Sequence, residues 1–297
     1  MSWVCPMCST SNEDSSENCM VCDAPKPEKM TVEGRSLLPE DEYKIGLLSF
    51  QSDDFVSAFN SFTYAADAEY PPAENELGRC YYLGKGTDKN IHAAFYWFSK
   101  AAEHDDPAGL YNLGCCYYYG NGTPKNYTSA VRYLQQASDK GHTAAKLELG
   151  NCYFYGRGVT ENPTTAFRYF KEAADKGSPA AMYNTGYCYE TGKGTSKSHA
   201  MAFRYYNLSA NKNYSSAINA IGNCYFFGRG TDKNPDKAMS FYRKAAERGF
   251  APAMYNLGFC LEKGIGSLPN ITAAKSWYKR AADGGNESAK KAVKRLS

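Results

Sequence analysis

The sequence has no run of eighteen apolar residues, so no segment reads as a membrane-spanning helix. Its start lacks the basic stretch and apolar core of a secretory signal, which sets a cytoplasmic expectation, with the nucleus as second compartment. Without such a signal, the Asn-x-Ser/Thr triplets at Asn121, Asn126, Asn207, Asn213, Asn270 and Asn286 carry no weight. Charge of one sign is also scarce. Lys and Arg number 34 against 31 Asp and Glu, leaving +3 over 297 residues and no strong field for a polyanion. Histidine is sparse, and His92, His104, His142 and His199 keep no constant spacing, so they read as surface residues rather than ligands or bases. No serine or cysteine nucleophile motif occurs. "GKGT" at 84 and 192 ends like a phosphate loop but lacks the G-x-x-x-x-G-K-[ST] pattern and a preceding strand, so it reads as a turn. These absences point away from an enzyme.

What is present is a chain able to build a core, with 43% apolar and 22% charged residues, 25 tyrosines and eleven cysteines. The cysteines fall into two groups. Cys5, Cys8, Cys19 and Cys22 form two C-x-x-C knuckles within the first 22 residues. Four thiolates so spaced suit the tetrahedral, sulfur-rich coordination of one Zn2+. A segment this short has no core of its own, so the metal would supply its folding energy. Two disulfides are the alternative, disfavoured by the absent secretion signal. Glu13, Asp14, Glu17, Asp23 and Glu28 outnumber Lys26 and Lys29 here, which argues against a nucleic-acid ligand.

The pattern Trp3-x-Cys5-x-x-Cys8, Asn12, Cys19-x-x-Cys22, followed by "DAPKP", resembles the Ran-binding-protein type zinc finger. The resemblance implies a binding module of two small hairpins about one zinc. It implies that Trp3, Ser9, Thr10, Asn12 and Val21 order the finger or meet its ligand. Ubiquitin-binding members carry Thr-Phe where Ser9-Thr10 stands, and only the apolar Val21 is kept. RNA-binding members carry arginines where this chain has "EDSSE". The Ran-binding type carries an apolar pair at Ser9-Thr10. Ubiquitin is the nearest of these ligands, beside a structural or protein-contact role.

After residue 40 the chain repeats every 36 residues. "LGRCYYLGKG" at 77 returns as "LGCCYYYGNG", "LGNCYFYGRG", "TGYCYETGKG", "IGNCYFFGRG" and "LGFCLEKGIG". Each is followed by a second anchor such as "AAFYWFSKAA" or "AFRYFKEAA". Leu, Gly, Cys and Tyr at i, i+1, i+3 and i+4 share one helical face, as do Ala94, Trp97, Phe98 and Ala101. The Gly-x-Gly ends each first helix; Asp105, Gly141, Gly177, Asn213, Gly249 and Gly285 end the second, all residues that tolerate left-handed backbone. Such pairs bury their apolar faces only by stacking. The expectation is an all-α solenoid over 40–297: a degenerate first unit four residues short in its turn, six full repeats, and a charged capping helix from "NESAKKAVKRLS". A finger at 1–29 and a linker at 30–39 precede it.

The repeat resembles the Sel-one-like family, relatives of tetratricopeptide repeats. Members are mostly scaffolds and adaptors, which implies protein partners and no catalysis. The cysteines at 80, 116, 152, 188, 224 and 260 read as small buried hydrophobes where the two helices touch; Cys115 is left over.

In tetratricopeptide-like stacks the first helix of each pair lines the concave side. Positions i, i+4 and i+7 along it give Asn75, Arg79, Tyr82; Tyr111, Cys115, Tyr118; Leu147, Asn151, Phe154; Tyr183, Tyr187, Glu190; Asn219, Asn223, Phe226; and Tyr255, Phe259, Glu262. A solvated face would be rich in Lys and Glu. This one is mostly Tyr, Phe and Asn, which reads as a peptide groove with Asn151 and Asn223 gripping backbone. The competing reading is that the tyrosines pack repeat on repeat. The sequence therefore predicts a zinc-binding adaptor. The rivals are a ubiquitin- or Ran-binding component of a degradation or transport pathway, and an enzyme with an unrecognised site.

Overall fold

Asparagine at the head of a helix sets the frame. In the computed structural model the side chain of Asn90 accepts from the backbone N–H groups of His92 and Ala93, capping a helix over Ile91–Glu103. Such a cap is worth about 1 kcal/mol. The N–H of Asn90 itself reaches back 2.8 Å to the carbonyl of Tyr81 in the preceding helix. Asn126, Ser198, Asn234 and Asn270 make the same pair of bonds, so one residue both starts the second helix and ties it to the first. That double use explains two of the Asn-x-Ser/Thr triplets, since Asn126 and Asn270 are caps.

The structure describes residues 37–296, together with the backbone of 2–4 and 11–13. In the latter, β1 (Ser2–Val4) pairs antiparallel with β2 (Ser11–Glu13), Trp3 opposite Asn12. Cys5, Cys8, Ser9, Thr10, Cys19, Val21 and Cys22 lie outside the described residues.

Two compact units divide the chain at Glu161/Asn162. The first holds α1 (Pro39–Gln51), α2 (Phe55–Asp67), α3 (Pro71–Leu83), α4 (Ile91–Glu103), α5 (Pro107–Tyr119), α6 (Tyr127–Asp139) and α7 (Thr143–Tyr155). The second holds α8 (Pro163–Asp175), α9 (Pro179–Thr191), α10 (His199–Ala210), α11 (Ser215–Phe227), α12 (Pro235–Glu247), α13 (Ala251–Lys263), α14 (Ile271–Asp283) and α15 (Glu287–Leu296). Within each unit every helix packs on the next in sequence. The turn between α1 and α2 spans 52–54, where that between α3 and α4 spans 84–90, so the first pair has the short turn its sequence predicts.

The stop signals work through backbone. Gly84, Gly120, Gly156, Gly192, Gly228 and Gly264 cap the first helices in left-handed conformation. Asp105 and Asn213, at φ 63°, do for the second helices what Gly141, Gly177, Gly249 and Gly285 do elsewhere. The second glycine of each Gly-x-Gly has another task. A Cβ on Gly122 would run into the Ile91 carbonyl, and one on Gly194 into that of Pro163. The turn thus rests on the head of the previous pair's second helix.

The core sits where the helices of a pair cross. Phe62, Phe98, Leu134, Tyr206, Tyr242 and Tyr278 are buried there. The closest approach is at the glycine before each periodic cysteine. A Cβ on Gly78 would lie 2.7 Å from the Phe98 ring, and one on Gly186 2.7 Å from that of Tyr206. This refines the sequence reading: glycine, not cysteine, marks the crossing, and the cysteine fills the layer beside it. Cys80, Cys116, Cys152, Cys188, Cys224 and Cys260 are all buried as free thiols. Between pairs, an aromatic of one second helix meets the next first helix edge-on. These are Phe59–Tyr81, Phe95–Tyr117, Phe167–Tyr189 and Phe203–Tyr225, with centroids 5.2–5.6 Å apart. Each contact adds about 0.5–1.5 kcal/mol beyond burial, and together they employ four of the 25 tyrosines.

Candidate functional site

The predicted groove stripe divides into residues spent on packing and residues left open. In the first unit, Asn75 is buried and its carbonyl accepts from Asn112 of α5 at 2.8 Å. Its amide donates to Glu76 at 3.1 Å, so Asn75 leaves the groove set. Asn219 plays the same part in the second unit, accepting from Asn256 at 2.9 Å. The physical reason is direct contact between first helices of neighbouring pairs, as between α3 and α5, which closes the N-terminal part of the stripe.

The middle of the stripe is half closed. Tyr111 stacks on His142, 4.5 Å between centroids, and its hydroxyl hydrogen bonds with the Cys115 thiol. Burial pushes that phenol up and the Cys115 thiol to about 12. Asn151 is half-buried and donates to Glu148 at 3.2 Å. Asn223 accepts from the Tyr242 hydroxyl at 2.8 Å. Its carbonyl therefore supports a core tyrosine, which leaves only the NH2 of its amide for the backbone grip that the sequence predicts. Leu147 is half-buried. Tyr183 lies against Tyr206 and Tyr214, Tyr255 against Tyr278, and Phe259 against Phe226. For these rings the packing role is the observed one.

The C-terminal end of each first helix is open. Arg79 is exposed and paired with Glu76 at 2.6 Å. Tyr82 and Tyr187 are exposed at the surface. Tyr118 and Phe154 are buried, each covered edge-on by the residue that follows, Tyr119 and Tyr155. Those covering residues are themselves exposed, at 57% and 60%, and so is Phe227 at 55%. Counting i, i+4, i+7 stops one residue short of them. The signal for them is the aromatic doublet, Tyr118-Tyr119, Phe154-Tyr155 and Phe226-Phe227. Cations stand over this edge. Arg157 lies 5.1 Å from the Tyr155 centroid and also bonds the Tyr118 hydroxyl; Arg229 lies 4.7 Å from Phe227 and Lys89 5.9 Å from Tyr82. Exposed aromatics flanked by fixed cations can hold apolar and acidic groups of a partner.

Of the histidines, His92 and His104 are exposed as the sequence predicts, whereas His142 and His199 are half-buried. His142 caps α7 by accepting from Ala145, and burial holds its imidazole below the ordinary range. His104 Nδ1 bonds the buried Glu74 at 2.9 Å across 30 residues, and burial pushes the Glu74 carboxyl up against that pull. His92 is exposed. Among the described residues no three His, Cys, Asp or Glu converge as a metal would need, and no helix is long and apolar enough to cross a membrane.

The Sel1 repeat model matches residues 71–106, 107–142, 143–178, 179–214, 215–250 and 251–286. No curated protein matches the chain. Among solved structures, the chain is similar to c5321, a protective antigen of uropathogenic Escherichia coli with an SLR fold, at 28% identity and TM-score 0.73. That match covers 87% of this chain and 56% of the antigen's, so this chain spans little more than half its relative's length. A Sel1 repeat protein from Oxalobacter formigenes is 27% identical with TM-score 0.76, covering 81% of this chain and 96% of its own. Yeast Tom70, at 15% identity and TM-score 0.50 over 91% of this chain and 66% of its own, shares the fold alone.

Proposed function

Because the chain belongs to the Sel1 repeat family, through six units filling residues 71–286, we propose that it is a non-enzymatic adaptor holding protein partners on the open ends of its first helices. The observation that carries this is the presence, in each unit, of exposed aromatics with adjacent cations at the ends of first helices. Packing consumes most of the predicted stripe, yet Tyr82, Tyr119 and Tyr155 in one unit, and Tyr187 and Phe227 in the other, stay at the surface. Large rigid rings cost little entropy to order and bury much area on contact.

The N-terminal segment is assigned a second, separate binding module. Support for it is the double C-x-x-C and the spacing of Trp3 and Asn12 about it. Cys5, Cys8, Cys19 and Cys22 would hold one Zn2+ as thiolates, and the metal would order the segment.

The test of the adaptor reading is partner capture. The intact chain serves as bait, and captured proteins are identified by mass spectrometry. Tyr119→Ser with Tyr155→Ser should reduce capture of the principal partner roughly tenfold and leave the melting temperature nearly unchanged. Capture that survives both substitutions would remove this edge from the proposal.

A further inference from the structure

A cleft of about 470 Å³ opens in the 162–297 unit, lined by Tyr187, Glu190, Thr191, Lys197, His199 and Arg229. Its origin is legible in the repeat. Position 190–191 holds Glu-Thr, where other units hold Tyr118-Tyr119, Phe154-Tyr155 and Phe226-Phe227. The residue opening the second helix is His199 here. Its counterparts are Phe55, Ile91, Tyr127, Pro163, Pro235 and Ile271. In the α5–α6 pair these two positions close on each other, Tyr118 meeting Tyr127 edge-on at 5.1 Å. In the α9–α10 pair shorter polar side chains stand in both places, and the volume those rings would fill is open.

The wall of the cleft is charged and incompletely satisfied. Glu190 accepts from the Tyr206 hydroxyl at 2.6 Å and lies 3.6 Å from Arg229. Lys197, at the end of the α9–α10 turn, makes no ion pair among the described residues. Two cations against one carboxylate leave one positive charge uncompensated. The His199 Nδ1 is the only buried side-chain nitrogen or oxygen without a hydrogen-bond partner among the described residues. A buried nitrogen left unpaired is costly, and protein interiors rarely keep one without a use. The backbone above it is fixed, since the Gly230 turn rests on the His199 carbonyl.

We propose that this cleft binds one oxyanion, a carboxylate carried by a peptide partner. Lys197 and Arg229 supply the charge, and a rotation of the His199 ring, whose Nδ1 is enclosed in the unliganded structure, brings its N–H to the bound oxygen. The peptide as carrier rests on the adaptor reading; the oxyanion site rests on the cleft alone. A carboxylate can come from a peptide's C-terminus or from an acidic side chain, and the test separates the two.

The chain has four histidines, so selective ¹³C labelling of their rings reports on each within the intact protein. Three probes are titrated to tens of millimolar: acetyl-Ala-Ala-Ala with a free carboxylate, acetyl-Ala-Asp-Ala amide, and acetyl-Ala-Ala-Ala amide. The His199 signals should move saturably with one or both carboxylate probes and stay still with the neutral amide. The probe with the lower midpoint names the source. Lys197→Gln and Arg229→Gln should each raise that midpoint roughly fivefold or more. His199→Phe should restore the ring found at this position elsewhere and, read by calorimetry, abolish binding. Failure of both carboxylate probes to move His199, or equal movement with the neutral amide, would overturn the site. Neither result touches the adaptor reading, whose test lies in Tyr119 and Tyr155 of the other unit.

Discussion

Arg295, in the last turn of α15, grips Glu262 of α13 with two parallel hydrogen bonds of 2.9 and 2.6 Å. The same carboxylate accepts from the Tyr278 hydroxyl at 2.9 Å, and Lys263 lies 3.0 Å away. Glu262 is nearly enclosed, its side chain 4% exposed, and the Arg295 guanidinium above all holds its carboxyl at about 2. One charge pair therefore fastens the charged terminal helix over the last repeat.

The pair predicts an acid response. A carboxyl lowered on folding adds stability that is complete above its unfolded range, near pH 5, and lost as pH falls through about 2. Glu262→Gln should cost about 1–2 kcal/mol at neutral pH and flatten the stability profile between pH 5 and pH 2. Urea midpoints across that range measure both. A variant as steep in acid as the parent would mean that other carboxyls carry the effect.

Two glycines of similar backbone predict unlike costs. Gly141, at φ 87°, has nothing near its missing Cβ, so Gly141→Ala should cost only the left-handed strain, about 1 kcal/mol. Gly122, at φ 73°, faces the Ile91 carbonyl and the Phe95 side chain. Gly122→Ala should cost at least about 3 kcal/mol, because backbone cannot step aside. Equal losses in thermal unfolding would show that the turn does not rest on α4.

The thiols should be inert until the chain unfolds. Burial pushes Cys80, Cys116, Cys152, Cys188 and Cys224 up to about 12, and Cys260 to about 11. Iodoacetamide at pH 8 should modify the native stack slowly, since the thiolate is the nucleophile. The half-buried Cys115 should lead. In denaturant without reductant all seven should react, read by peptide mapping. Rapid native labelling would place these thiols nearer the surface than the structure does.

The intact chain, purified under reducing conditions, should carry about one zinc ion. Cys5→Ser, Cys8→Ser, Cys19→Ser and Cys22→Ser should each release it while the solenoid's helical signal persists. Elemental analysis that finds no zinc in the parent chain would end the metal-finger proposal.

How far the sequence could be read depended on whether a residue acts locally. The glycine turns and the stop residues Asp105 and Asn213 work through their own backbone, and the Asn90 cap through a side chain bonded two and three residues on, so all of them recur in the 36-residue period. The side-chain pairs do not. Asn75 meets Asn112 and His104 meets Glu74 only after neighbouring helices stack, and nothing in helical spacing tells a covered asparagine from an open one. The groove count went astray at the same point. It followed one face along the whole helix, whereas stacking closes the start of that face and leaves Tyr119 and Tyr155 open at its end. The surface reading of His199 misses its contrast with Tyr127 and the other counterparts, which shows only in a comparison across repeats rather than along one.

The resting of each Gly-x-Gly turn on a carbonyl of the preceding pair has an evolutionary consequence. Gly86 meets the carbonyl of Phe55, Gly122 that of Ile91, Gly230 that of His199, and Gly266 that of Pro235. The four residues underneath range from an aromatic ring and a branched aliphatic chain to an imidazole and a proline, and the closest contact at each is main chain. A gene that gains or loses one 36-residue unit within such a run presents the same carbonyl to the same glycine at the new junction. The length of the stack can then drift by whole units, while side chains such as His199 are free to specialise a single layer.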